Sequence, residues 1–434
     1  MQSVKTPRFN YIVFTLLIAV LTSGHVLIVD ALGLRLILQI VMIASLLTYI
    51  FTSVDKKIDR RGLIIIYIAL AGLAGDVVMR QDVNDILGYC LLVSVCFTLL
   101  VITPESILAF IRKLNYINCF FAICSITALI LSVYSESVFK GLFEKAPYYS
   151  TSFLSGISWP ALLSHADTEQ TMFGLLLPRI SAHLQQASLL PAYFLLPLGI
   201  SLAFSSQNKN SVTIIILLFC VLSTGGSVYV ALIMCLFIYF IASYIPRVAF
   251  YILPFILLLI SSSLLAYFFL DAYDLDVLRS MVRSFGAAFQ DSVSEENALS
   301  QRLSSGVVRL ALMGFQVIGF FESFPFPAES VLVKMTIGGN VFTNGLRGGV
   351  LGFVLTCAMY YSMFYALSHC LKDCRSDQKL KRLGLSLIYA LVFQSFIYND
   401  FGFSTYYGYM MFSIILVLSY AYLNSDSYQS EKSN

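Results

Sequence analysis

The chain has 434 residues, of which 58% are hydrophobic and only 12% charged, with a mean hydropathy of +0.83. Soluble globular proteins carry about a quarter charged residues, so this composition argues against a water-soluble domain. The formal net charge of +3 is small and dispersed, which excludes the concentrated basic footprint of a nucleic-acid binder.

Apolar runs long enough to cross a hydrocarbon layer of about 30 Å recur from end to end. Helices are expected in them, because lipid offers the backbone no hydrogen-bonding partners. Twelve spans are predicted, over residues 10–29, 32–52, 63–80, 86–103, 115–134, 188–205, 211–223, 227–244, 248–270, 348–368, 384–398 and 407–423. The first run, near Tyr11, is too long for a secretory leader and lacks a clear small-residue cleavage site, so it reads as a span. The seventh and eighth meet at Ser223-Thr224-Gly225-Gly226-Ser227, either a plain turn or a helix broken inside the membrane. The predicted fold class is therefore an all-α polytopic membrane protein, one integral domain over 1–434. It carries two long loops, 135–187 and 271–347, and a polar tail, 424–434, expected to be disordered.

Positive charge sets the expected orientation. With the N-terminus inside, the inner segments hold Lys5, Arg8, Lys56, Lys57, Arg60, Arg61, Arg112, Lys113, Lys209, Arg247, Lys372, Arg375, Lys379, Lys381, Arg382 and Lys432. The short outer turns and adjoining span ends hold only Arg35 and Arg80. Both termini are then cytoplasmic, and both long loops lie outside. All nine cysteines fall in spans or inner loops, as an oxidising outer compartment would favour. No Cys/His group has the spacing of zinc ligands, and neither a metal nor a cofactor is expected.

Loops of this length are usually functional. In the first, Arg179, His183 and Gln186 are spaced i, i+4 and i+7, which on a helix would bring a cation, an imidazole and an amide to one face. A wet interfacial helix would show the same pattern. In the second, Arg302, Ser305, Arg309 and Gln316 share a face by the same count. Two guanidiniums two turns apart suit an extended anion such as a pyrophosphate, which they grip in bidentate fashion. Snorkelling to lipid headgroups is the bland alternative. The glycine-rich stretch Gly338 to Gly349 then leads into the tenth span, with Asn344 and Arg347 inside it. Acidic candidates for a base are Glu322 and Glu329, Asp167 and Glu169, Asp400 in an outer turn, and Asp76 in the third span.

Four stretches resemble the bacterial O-antigen polymerase family, within the wider O-antigen ligase/polymerase superfamily. Arg179 to Ser188 is similar to the family's arginine-containing stretch entering a span, and Leu222 to Ser227 to its hairpin. Ser300-Gln301-Arg302 through Pro325 is similar to its Ser-x-Arg helix and proline loop, and Thr343-Asn344-Gly345 through Gly352 to its span entry. The chain departs from the pattern in two places. A glycine, Gly225 or Gly226, stands where the hairpin arginine would be, and Thr343 replaces the histidine that ligases carry.

The resemblance implies a GT-C-like glycosyltransferase of the bacterial inner membrane with its site facing the periplasm. It would move a growing glycan from undecaprenyl pyrophosphate to a hydroxyl of a lipid-linked repeat unit, beside chain-length-regulator and flippase partners. Arg179, Arg302 and Arg309 would bind pyrophosphate, with Gln186, Asn344 and Arg347 as further substrate contacts. His183 would be the first choice and Glu322 the second for the base. A ligase joining glycan to the lipid A core, and a flippase or secondary transporter, are the alternatives.

Overall fold

The computed structural model describes residues 7–21, 34–52, 83–135, 137–138, 166–172, 175–180, 182–184, 189–205, 214, 217, 226–241, 340–374, 378–397 and 406–432. Helices dominate. They are α1 (Pro7–Leu21), α2 (Arg35–Phe51), α3 (Val83–Val101), α4 (Pro104–Tyr134), α5 (Leu196–Phe204), α6 (Gly226–Ile241), α7 (Asn340–Lys372), α8 (Lys379–Ile397) and α9 (Tyr406–Lys432). A π-helical turn, Pro191–Leu195, leads into α5. Two of these helices contain an apolar stretch long enough to cross a membrane: α4, 31 residues long, and α7 within the 22 residues from Leu351 to Lys372.

Helix α4 begins where the chain chemistry says it should. Thr103 is extended (φ −77°, ψ 150°) and Pro104 occupies the first helical position, where its missing N–H costs nothing. Its buried face carries Phe110, Ile111, Leu114, Asn115, Asn118, Phe121, Ala122 and Ser125, at intervals of three and four. The opposite face exposes Tyr116, Phe120, Ile123, Ile130, Val133 and Tyr134. Amides thus point into the protein and large apolar groups point out, the reverse of a helix that meets water.

Helices α5 and α8 cross with their backbones close together. At Gly384 an added Cβ would lie 2.6 Å from the Ala203 backbone nitrogen and 2.8 Å from the Gly199 carbonyl oxygen. Small residues at such a crossing let two backbones approach, which is how helices gain dispersion energy where no hydrophobic drive separates them from lipid. On its other sides α8 packs against α6 and α7, and α7 packs on α9. Tyr360, Phe364, Tyr389, Phe396 and Phe412 fill the space between α7, α8 and α9. The Tyr360 hydroxyl and Ser395 Oγ are 2.9 Å apart, which satisfies both inside this aromatic cluster.

Several sequence expectations change. Residues Ala166–Met172 and Leu175–Ile180 form one antiparallel hairpin, β1 and β2, within the first long loop, where a helix was expected, while the fold class stays all-α. Arg179 lies on β2 opposite Thr168, and the chain turns at Ala182 and His183, so Arg179 and His183 do not share a helix face. Pro178 explains the difference: it lacks the N–H a helix interior needs, but is tolerated in an edge strand. Helix α7 starts at Asn340, so Asn344 and Arg347 lie in its first turns rather than in a loop. The segment 104–114, expected as an inner connection, is the first third of α4. The expected disordered tail is helical as far as Lys432, because extending an existing helix needs no new nucleus. The predicted third, seventh and ninth spans fall wholly or mostly outside the described residues, as does the second long loop up to residue 339.

Candidate functional site

The seam where α4, the turn after β2, the π-turn, α5 and α9 meet holds the best-defined polar groups near a predicted site residue. Pro197 creates a local problem. In α geometry its nitrogen would serve the Tyr193 carbonyl, and in π geometry the Ala192 carbonyl, but it carries no hydrogen. Both carbonyls are served from neighbouring helices. Asn118 Nδ2 on α4 donates to the Tyr193 oxygen at 2.6 Å, and the Tyr407 hydroxyl on α9 donates to the Ala192 oxygen at 3.1 Å. One turn along α4, Asn115 Nδ2 donates to the Pro197 oxygen at 3.2 Å. The Tyr193 and Tyr407 rings stack at 3.8 Å, nearly parallel at 6°. Buried backbone oxygens thus find partners, as burial demands.

His183 sits just above this ladder. It is 3% exposed. Its ring stacks on Phe121 with centroids 3.8 Å apart, and Phe194 lies parallel at 6.0 Å. The turn that delivers it is strained: Ala182, fully buried, has φ 52°. That left-handed conformation costs a residue with a Cβ about 1–2 kcal/mol. The seat offsets this by burying Ala182, His183 and Leu184 together. Phe121 lies about 20 Å along the α4 axis from Tyr134, at a rise of about 1.5 Å per residue. His183 is therefore deep in the bundle, and a substrate hydroxyl would reach its ring only if the turn lifted off Phe121.

Among the other predicted site residues, Arg179 is on β2, which packs along α4, and Asn344 and Arg347 are three residues apart on α7. Gln186, Glu322, Arg302 and Arg309 lie outside the described residues. The fold brings His183 to the α4 seam; for the rest, only the elements that carry Arg179, Asn344 and Arg347 are placed. Sequence reasoning did not single out Asn115, Asn118 and Tyr407. A usable signal was present: two asparagines three residues apart in an apolar span, and two prolines, Pro191 and Pro197, in the next. Polar groups at membrane depth usually have a partner or a task.

The fold and seam define a predominantly helical protein with, among the described residues, two helices long and apolar enough for a membrane. Comparison with protein-family models, with curated proteins and with solved structures finds no match.

Proposed function

We propose that this chain is a multi-pass protein of the bacterial inner membrane that polymerises O-antigen repeat units. The membrane part rests on one observation, the inverted helix surface. Phe14, Ile37, Phe51, Phe120, Ile233, Phe237 and Phe240 are each more than half exposed, while Gln39, Asn115, Asn118, His183 and Gln394 are buried. Water would penalise so large an apolar exterior, and lipid would not. Extraction of membranes at alkaline pH checks this: the chain should stay in the pellet, and its release would overturn the reading.

The catalytic part rests on the resemblance of Arg179 to Ser188, and of the stretches beginning at Ser300 and Thr343, to the polymerase family. In this reaction the bond between the glycan's reducing-end carbon and the pyrophosphate oxygen breaks. The acceptor hydroxyl oxygen bonds to that carbon, its proton passes to a base, and undecaprenyl pyrophosphate leaves. Arg179, Arg302 and Arg309 would hold the charge that develops on the leaving group. Gln186, Asn344 and Arg347 would orient the two glycans. Glu322 or an uncovered His183 would take the proton.

Deleting the gene and resolving the strain's lipopolysaccharide on a gel tests the reading. A core bearing a single repeat unit, with the ladder gone, is the expected result. Loss of all O-antigen with long glycan left on the carrier would select ligase, and an unchanged ladder would remove the chain from this pathway. Arg179→Ala should cut polymer formation by about tenfold to a hundredfold at normal protein level. This follows from the loss of one charged hydrogen bond of about 1.5–3 kcal/mol in the transition state.

A further inference from the structure

The end of the bundle where α7 stops and α8 starts joins cations to an exposed apolar group. Lys372 closes α7, and Lys379 and Leu380 open α8; all three are exposed, Leu380 at 48%. The next two residues are also basic, and aromatic rings hold both in place. Lys381 Nζ lies 3.4 Å from the centre of the Tyr422 ring on α9, and the Arg382 guanidinium carbon lies 5.1 Å from that of Tyr239 on α6. The Cys235 thiol reaches toward the Leu383 oxygen at 3.9 Å, which ties α6 to the same end of α8. Asp373 and Asp377 are the carboxylates in this stretch, against Lys372, Arg375, Lys379, Lys381 and Arg382, so they offset only part of this charge.

We propose that this end of the bundle is a binding surface for an anionic phospholipid, whose headgroup the cations Lys372, Lys379 and Lys381 attract and whose acyl chain lies along Leu380. The proposal rests on the membrane reading above. Two features favour an amphiphile over a free anion. Exposed Leu380 lies between Lys379 and Lys381 in the chain, an apolar surface that an inorganic phosphate would leave uncovered. The ring under Lys381 fixes its side chain before any ligand arrives, so less rotamer freedom is lost on binding. A cation near an anionic headgroup contributes about 1 kcal/mol, or roughly fivefold in association.

The test uses the full chain in phosphatidylcholine vesicles with a trace of spin-labelled lipid. Spin-labelled phosphatidylglycerol should associate at least about fivefold more strongly than its phosphatidylcholine counterpart, and the preference should shrink in high salt. The exposed pair variant Lys372→Gln/Lys379→Gln should lower the ratio well below the parent's, with Lys381 keeping a remainder, whereas Lys372→Arg/Lys379→Arg should keep it. Equal association in the parent protein overturns the proposal, as does a preference undiminished in the glutamine pair, which would place the lipid elsewhere. Alkaline extraction of the same vesicles is read first. Release of the chain there sinks the membrane reading itself, while retention without lipid preference sinks only the site.

Discussion

Gly384→Ala should leave little folded protein after extraction into mild detergent. The new methyl would sit 2.6 Å from the Ala203 nitrogen, 2.7 Å from the Leu202 Cβ and 2.8 Å from the Gly199 oxygen. Two of these are backbone atoms of a buried helix, so no side-chain rotation relieves the clash and α5 must move away from α8. Overpacking of a core costs about 1–3 kcal/mol when side chains can adjust, and more when they cannot. Gly199→Ala is the matched comparison. Its methyl would meet the Ile388 side chain at 3.0 Å and the Gly384 oxygen at 3.4 Å, contacts that a small side-chain shift accommodates. Thermal melts followed by size-exclusion chromatography should therefore rank Gly384→Ala far below Gly199→Ala. Equal behaviour of the two variants would mean that α5 and α8 do not cross at this point.

Asn118→Leu should destabilise the protein by about 1–3 kcal/mol, because it strands the buried Tyr193 carbonyl. The informative experiment is the double variant. Pro197→Ala restores a backbone N–H that can serve the Tyr193 or Ala192 carbonyl directly, so Asn118→Leu/Pro197→Ala should recover most of the loss. Tyr407→Phe, which removes the donor to the Ala192 oxygen, should respond to Pro197→Ala in the same direction. Melting midpoints of the single and double variants give the coupling, which should be clearly non-additive for groups sharing one backbone defect. Simple additivity would mean that the side-chain donors do not compensate for the proline.

Helix positions were legible because lipid-length apolar runs leave the backbone one economical solution. Nine of the predicted spans match described helices, the sixth as the π-turn with α5. The ends were less legible: glycines near residue 345 suggested a loop, yet α7 runs through them. The hairpin was missed for a related reason. The spacing of Arg179 and His183 fits a helix, and only Pro178 spoke against one. At the candidate site, the sequence singled out His183 but not its surroundings. Nothing local to residue 183 reports that Phe121, more than sixty positions earlier, will lie under its ring. The pairing of Asn118 with Tyr193 is equally non-local, although an asparagine in an apolar run ahead of a proline-bearing one is a hint that can be read.

The length of α4 has a further consequence. Its 31 residues span about 46 Å, well beyond a hydrocarbon layer of about 30 Å. The excess is the first third, which carries Glu105, Arg112 and Lys113, while the apolar run after Lys113 is itself about 30 Å long; in a bilayer the charged third would protrude and the apolar run would set the tilt. Asn115, Asn118 and Phe121 fasten α5, the π-turn and the His183 turn to this one helix. On the membrane reading, a change in α4 tilt would carry the whole seam with it, so bilayer thickness would act on the seat of His183 and not only on the protein's outer surface.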